Sequence, residues 1–195
     1  MGDDNAIIRA ASNGDIEGVR RQLSLGISLA RAIFDRSCTG DVDALRVLLE
    51  AGGTGEVNAR GDAGCTALGG AAARGEVKVA LLLLAAGADP DRRVLNDYFN
   101  HTPLQLASGV GATANPTWLA PTHPAILHVL LRGGATLPPD TDHPYLRKVA
   151  AAGGFRAYEE AHRRALFTTF ASMFPRLPIR VTAQFVTFWA HVGYY

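Results

Sequence analysis

The stretch Ala71 to Asp89, AAARGEVKVALLLLAAGAD, constrains this chain more than any other. A short Ala-rich helix is predicted to end at Arg74-Gly75. A second helix follows with Val77, Ala80, Leu81 and Leu84 on one face, and it closes at Ala86-Gly87-Ala88-Asp89. Upstream sits Gly64-Cys65-Thr66-Ala67-Leu68, so the whole unit reads turn, helix, turn, helix, Gly stop. One such helix pair cannot bury its apolar face alone. A chain that carries it must stack further copies against it.

Copies are present. A Gly precedes each second helix at Gly14 (NGDIEGVRRQL), Gly40 (TGDVDALRVLL) and Gly75 (RGEVKVALLLL), with intervals of 26 and 35 residues. Asp15 and Asp41 follow the Gly and are placed to cap those helices. Ile16, Val19 and Leu23 fall on one helical face, as do Val42, Leu45 and Leu49. Gly26, Gly52 and Gly87 then stop the helices. The first helices are predicted at 5–12, 29–37 and 66–73. A fourth unit starts at His101-Thr102-Pro103-Leu104-Gln105-Leu106-Ala107, and its second helix runs from His123 to Arg132. Thr66 and Thr102 are 36 residues apart but Gly87 and Gly134 are 47 apart, so 11 residues are inserted between the fourth unit's helices. They fall around Gly109 to Pro121, a segment expected to be an exposed loop with Trp118 on it. A weaker fifth unit has helices from Pro144 to Gly153 and from Phe155 to Arg164.

The Thr-Pro-Leu-Gln-Leu-Ala run at Thr102–Ala107 and the interval of 35 residues resemble the ankyrin repeat, whose signature is T-P-L-H-x-A and whose period is about 33 residues. The family's His is Gln105 here and Gly69 in the third unit, which departs from the pattern. The resemblance covers residues 5–165 and implies an all-α ankyrin-repeat solenoid of about five helix-turn-helix units, the outer ones degenerate. Such arrays are non-catalytic scaffolds that hold a protein partner on their concave face with the hairpin tips. Carried onto this chain, the contact residues are Arg60 and Asp62 on one tip and Arg92, Arg93, Tyr98, Phe99 and His101 on the next. Arg and aromatic residues dominate interface energetics. Tyr98 and Phe99 can equally pack under their own loop, and Trp118 can fold back over Leu119 or anchor a partner.

The pattern changes after residue 165. Leu166, Phe167, Phe170, Met173 and Phe174 form an aromatic-rich helix, and Pro175 to Pro178 break it. Val181, Phe185, Phe188, Trp189 and Val192 then fall at i, i+4, i+7, i+8 and i+11, which is an amphipathic helix. The expected domains are therefore a repeat domain over 1–165 and a two-helix extension over 166–195. Two roles suit the extension. It is either a cap over the open end of the solenoid, or a docking tail. Leu177-Pro178 followed by Phe185, Phe188 and Trp189 is similar to the F-box-like or SOCS-box-like tails that recruit a ubiquitin-ligase adaptor behind some ankyrin arrays. That resemblance implies the alternative function of a substrate receptor for a cullin-type ligase.

Composition closes off other classes. With 48% hydrophobic and 19% charged residues and a net charge of +1, the chain suits a globular domain and gives no reason to expect nucleic acid or an anionic membrane. The first residues, MGDDNAIIRAASNGD, lack the basic start and apolar core of a signal peptide, so a cytoplasmic location is expected, with the nucleus left open; the chain is also expected to be a monomer. Cys38 and Cys65 are too few for a disulfide framework and read as packing residues. His123 and His128 are five apart on a helix and do not make a metal pair; each of the six histidines reads as a surface or loop residue. No cofactor, no metal and no catalytic residue is expected.

Overall fold

A computed structural model of the chain describes residues 4–61, 64–94, 100–109, 124–176 and 178–192; at 4, 185 and 187–192 it describes the backbone only. The described residues are helical, with no strand among them. They divide into two compact units, Met1–Thr136 and Leu137–Tyr195.

The first unit holds four helix pairs: α1 (Asp4–Ser12) with α2 (Ile16–Ser24), α3 (Ala30–Thr39) with α4 (Val42–Glu50), α5 (Ala67–Arg74) with α6 (Val77–Ala85), and α7 (Pro103–Ala107) with α8 (Pro124–Arg132). The first helices α1, α3, α5 and α7 pack in one row. The second helices α2, α4, α6 and α8 pack in another. This is the stacked all-α arrangement that the repeat predicts. The caps follow the sequence too. Asp15 accepts a hydrogen bond from the Gly18 amide and Asp41 one from the Ala44 amide, at 2.8 and 3.1 Å. Gly40 and Gly75 end their helices at φ 73° and 75°, a region costly for any residue with a Cβ.

The centre of the stack is α5. Every residue from Ala67 to Ala73 is buried, so this helix has no solvent face before Arg74. Four Ala and two Gly in seven positions allow α3 and α7 to approach it from both sides. A Cβ added at Gly70 would lie 2.6 Å from Cys38 Sγ and 3.2 Å from the Phe34 ring. The α3–α5 approach is therefore set by the missing side chain.

Two helix readings are corrected. In α6 the buried residues are Val79, Ala80 and Leu83, whereas Leu81 is 48% exposed. Of the expected face, only Ala80 is fully buried. The sequence VKVALLLLA is apolar almost all round, so its periodicity defines no face and the stack chooses one. In the second unit, α10 (Phe155–Met173) runs unbroken through the break expected near 165. No Gly or Pro interrupts 155–173, and Glu159–Arg163 and Glu160–Arg164 add i, i+4 ion pairs on its surface. That unit also contains α9 (Pro144–Ala151) and α11 (Ile179–Val192), both of which pack on α10.

Enlarging Gly70 tests the central contact. Gly70→Val is expected to lower stability by about 1–3 kcal/mol through overpacking, even though Val is a better helix former than Gly. Gly55→Ala, where the added Cβ meets nothing within 4 Å, is expected to be nearly neutral in the same urea melts.

Candidate functional site

The hairpin fingers between helix pairs are built by short hydrogen-bonded turns. In the first, a 3-10 turn at Gly53–Glu56 leads to Arg60, whose backbone bridges Thr66, and the Gly61 amide donates to the Cys65 carbonyl at 2.9 Å. In the next finger the Val94 amide donates to the His101 carbonyl at 2.9 Å, closing a longer excursion. Arg60 Nη2 donates to the Arg93 carbonyl at 3.4 Å, so residues 33 apart in sequence are neighbours. Arg93 Nη1 in turn donates to the Asn100 carbonyl at 2.9 Å. Arg60 and Arg93 are exposed and Arg92 is half-buried, with its Nε enclosed and lacking a hydrogen-bond partner among the described residues.

Three guanidinium groups thus come from two successive fingers. The nearby carboxylate of Asp91 is already engaged: it accepts from the Thr136 amide at 2.8 Å and from Thr136 Oγ1 at 2.5 Å. Asp89 Oδ1 accepts from the Asp91 amide. His101 sits half-buried beside this group. Its pKa is lowered, first by burial and second by the charge of Arg93. The imidazole is therefore biased toward its neutral form, which donates through one nitrogen and accepts through the other.

Of the predicted contact residues, the structure brings together Arg60, Arg92, Arg93 and His101. Asp62, Tyr98, Phe99 and Trp118 lie outside the described residues, as does Leu177. Pro178 is exposed just before α11, and Phe185, Phe188 and Trp189 are placed on the α11 backbone only.

A set of polar stitches between successive fingers was missed by sequence reading. Glu56 accepts from Ser28 Oγ and the Ala30 amide. Asn58 donates to the Gly87 carbonyl at 3.0 Å and accepts from the Asp89 amide at 2.7 Å. Asp91 takes the two bonds from Thr136. Each stitch joins a finger to a residue 26 to 45 positions away, so no local motif announces it. Gln105, where the family pattern has His, is another surprise. Its Oε1 accepts from the Thr102 amide while Thr102 Oγ1 accepts from the Gln105 amide, a reciprocal cap on the five-residue α7.

The remaining candidates for chemistry are structural. Burial pushes the Cys38 thiol up to about 11 and the Cys65 thiol up to about 12, so both are protonated at neutral pH and poor nucleophiles. His128 corrects the expectation of a surface histidine: it is 4% exposed within α8, whose residues from Ile126 to Leu131 are all buried. Among the described residues no three His, Cys, Asp or Glu side chains are grouped to hold a metal. A cleft of about 530 Å³ between α10 and α11 is lined by Phe167, Val186 and the ion-paired Glu160 and Arg164.

Residues 63–94 match the family model of the ankyrin repeat, which spans α5, α6 and the start of the second finger. No curated protein matches the chain. The chain thus contains an ankyrin repeat, a non-catalytic module that in general mediates protein–protein interaction.

The environment of His101 gives a direct check. In an NMR titration of the full chain, His101 is expected to lose its proton below the ordinary histidine value of about 6.5. Arg93→Gln is expected to raise that pKa without fully restoring it, because the burial that leads the shift remains.

Proposed function

We propose that the first unit is a recognition scaffold that binds a protein partner on the concave face of its ankyrin stack, with Arg60, Arg92, Arg93 and His101 at the centre of the contact. One observation carries this reading: Arg60 of one finger donates to the backbone carbonyl of Arg93 on the next, so the two Arg-bearing fingers are tied together. A stiff finger pair loses little conformational freedom when it binds, so more of the interaction energy appears as affinity. Arg is also enriched among the residues that dominate interface energies.

A second reading gives the second unit the role of recruiting a ubiquitin-ligase adaptor. Its support is the exposed turn at Pro178 between α10 and α11.

Paired affinity purification of the full chain and its Arg60→Glu/Arg93→Glu variant tests the first reading. Both substituted side chains are exposed, so melting temperature is expected to stay within about 2 °C of the original, as for ordinary surface changes. The partner is expected to be retained by the original chain and weakened about thirtyfold or more by the double reversal. A reversal on α2, Arg20→Glu/Arg21→Glu, serves as the control. Equal loss from both double variants would reject the finger site.

A further inference from the structure

The turn between α10 and α11 differs from the rest of the described surface. Every described residue from Ser172 to Arg180 is exposed. Met173, Phe174 and Ile179 are 64%, 46% and 76% exposed, and they are three of the five large hydrophobic side chains so exposed among the described residues. Soluble surfaces scatter such residues singly. Here they share one turn with Arg176 and Arg180, neither of which has an ion-pair or hydrogen-bond partner among the described residues.

Charge is distributed with the same bias. From Ala161 to Tyr195 the chain has four Arg and no Asp, Glu or Lys. The acidic residues nearest to the turn, Glu159 and Glu160, pair with Arg163 and Arg164 and lie more than two helical turns back along α10. The second unit, 137–195, has seven basic and four acidic residues, a net charge of +3. The first unit carries −2, which is why the whole-chain value of +1 conceals the asymmetry.

We propose that the α10–α11 turn is a peripheral attachment site for an anionic lipid surface. Met173, Phe174 and Ile179 enter the boundary between headgroups and acyl chains, and Arg176 and Arg180 bind lipid phosphates. Two features favour a lipid surface over a folded protein. The described residues of the turn are all exposed and enclose no partner side chain, whereas a bilayer accepts a projecting tip without complementary shape. Interleaved Arg and large apolar residues also match the division of an interface into phosphate and hydrocarbon layers. No helix among the described residues is long and apolar enough to cross a membrane, so the contact is interfacial. The proposal is independent of the finger site.

Vesicle flotation of the full chain tests it, with phosphatidylcholine vesicles compared with vesicles containing about 30% phosphatidylserine. The chain is expected to float with the anionic vesicles only, and less at high salt. Arg176→Gln/Arg180→Gln is expected to weaken binding roughly twenty- to thirtyfold, the loss of two surface cations. Met173→Ser/Phe174→Ser/Ile179→Ser is expected to abolish it. All five positions are exposed, and unchanged melting curves show that the variants remain folded. No binding to anionic vesicles overturns the proposal, as does binding that survives both variants. Capture of a ligase adaptor that both variants abolish, without vesicle binding, also overturns it and assigns the turn to a protein partner.

Discussion

The first unit depends on the contact between α5 and its two neighbours. α5 is buried from Ala67 to Ala73 because it presents only small side chains and Leu68 to α3 and α7. Close approach of helix to helix is what lets one repeat bury the apolar face of the next. At Gly70 the margin is less than a methyl group, since Cys38 and Phe34 occupy that space. The same packing explains the cysteines. Cys38 lies against Gly70 and Cys65 against Gly69 of α5, and the desolvation that raises their pKa follows from that packing.

Stacking alone does not orient the fingers. Each finger is joined to the next by a polar side chain: Glu56 to residues 28 and 30, Asn58 to residues 87 and 89, Asp91 to Thr136. These bonds are partly exposed, and each is worth on the order of 1 kcal/mol. Their main effect is on geometry. They hold successive fingers in one register, and that register brings Arg60 beside the carbonyl of Arg93. The relative placement of Arg60 and Arg93 is thus a consequence of the stitches as much as of the helices.

The second unit follows a different principle. α10 has 19 residues and none is fully buried. Its aromatic residues make local contacts instead, with Tyr158 edge-on to Tyr145 at 5.6 Å and Phe170 stacked near Phe174 at 6.3 Å. In α11 the buried described residues are Thr182 and Val186. By helical register these lie about a quarter-turn from the centre of the arc of Val181, Phe185, Phe188, Trp189 and Val192 that the sequence pattern singles out. Exposed apolar surface at its turn and a positive charge excess distinguish this unit from the repeat stack.

The sequence by itself determined the repeat, the caps at Asp15 and Asp41, and the helix stops, because each is a local matter of backbone angle and a hydrogen bond within three residues. It also placed Arg60, Arg92, Arg93 and His101 on fingers. It could not choose the buried face of α6, since a helix apolar all round carries no directional signal, nor foresee that His128 would be enclosed. It read α10 as two pieces because a change in composition looks like a boundary, whereas the backbone there has nothing to break it. Only the tertiary structure joined Arg60 to Arg93 and set the stitches between fingers. Those contacts span 26 to 45 residues, and their partners meet only after the helices have stacked.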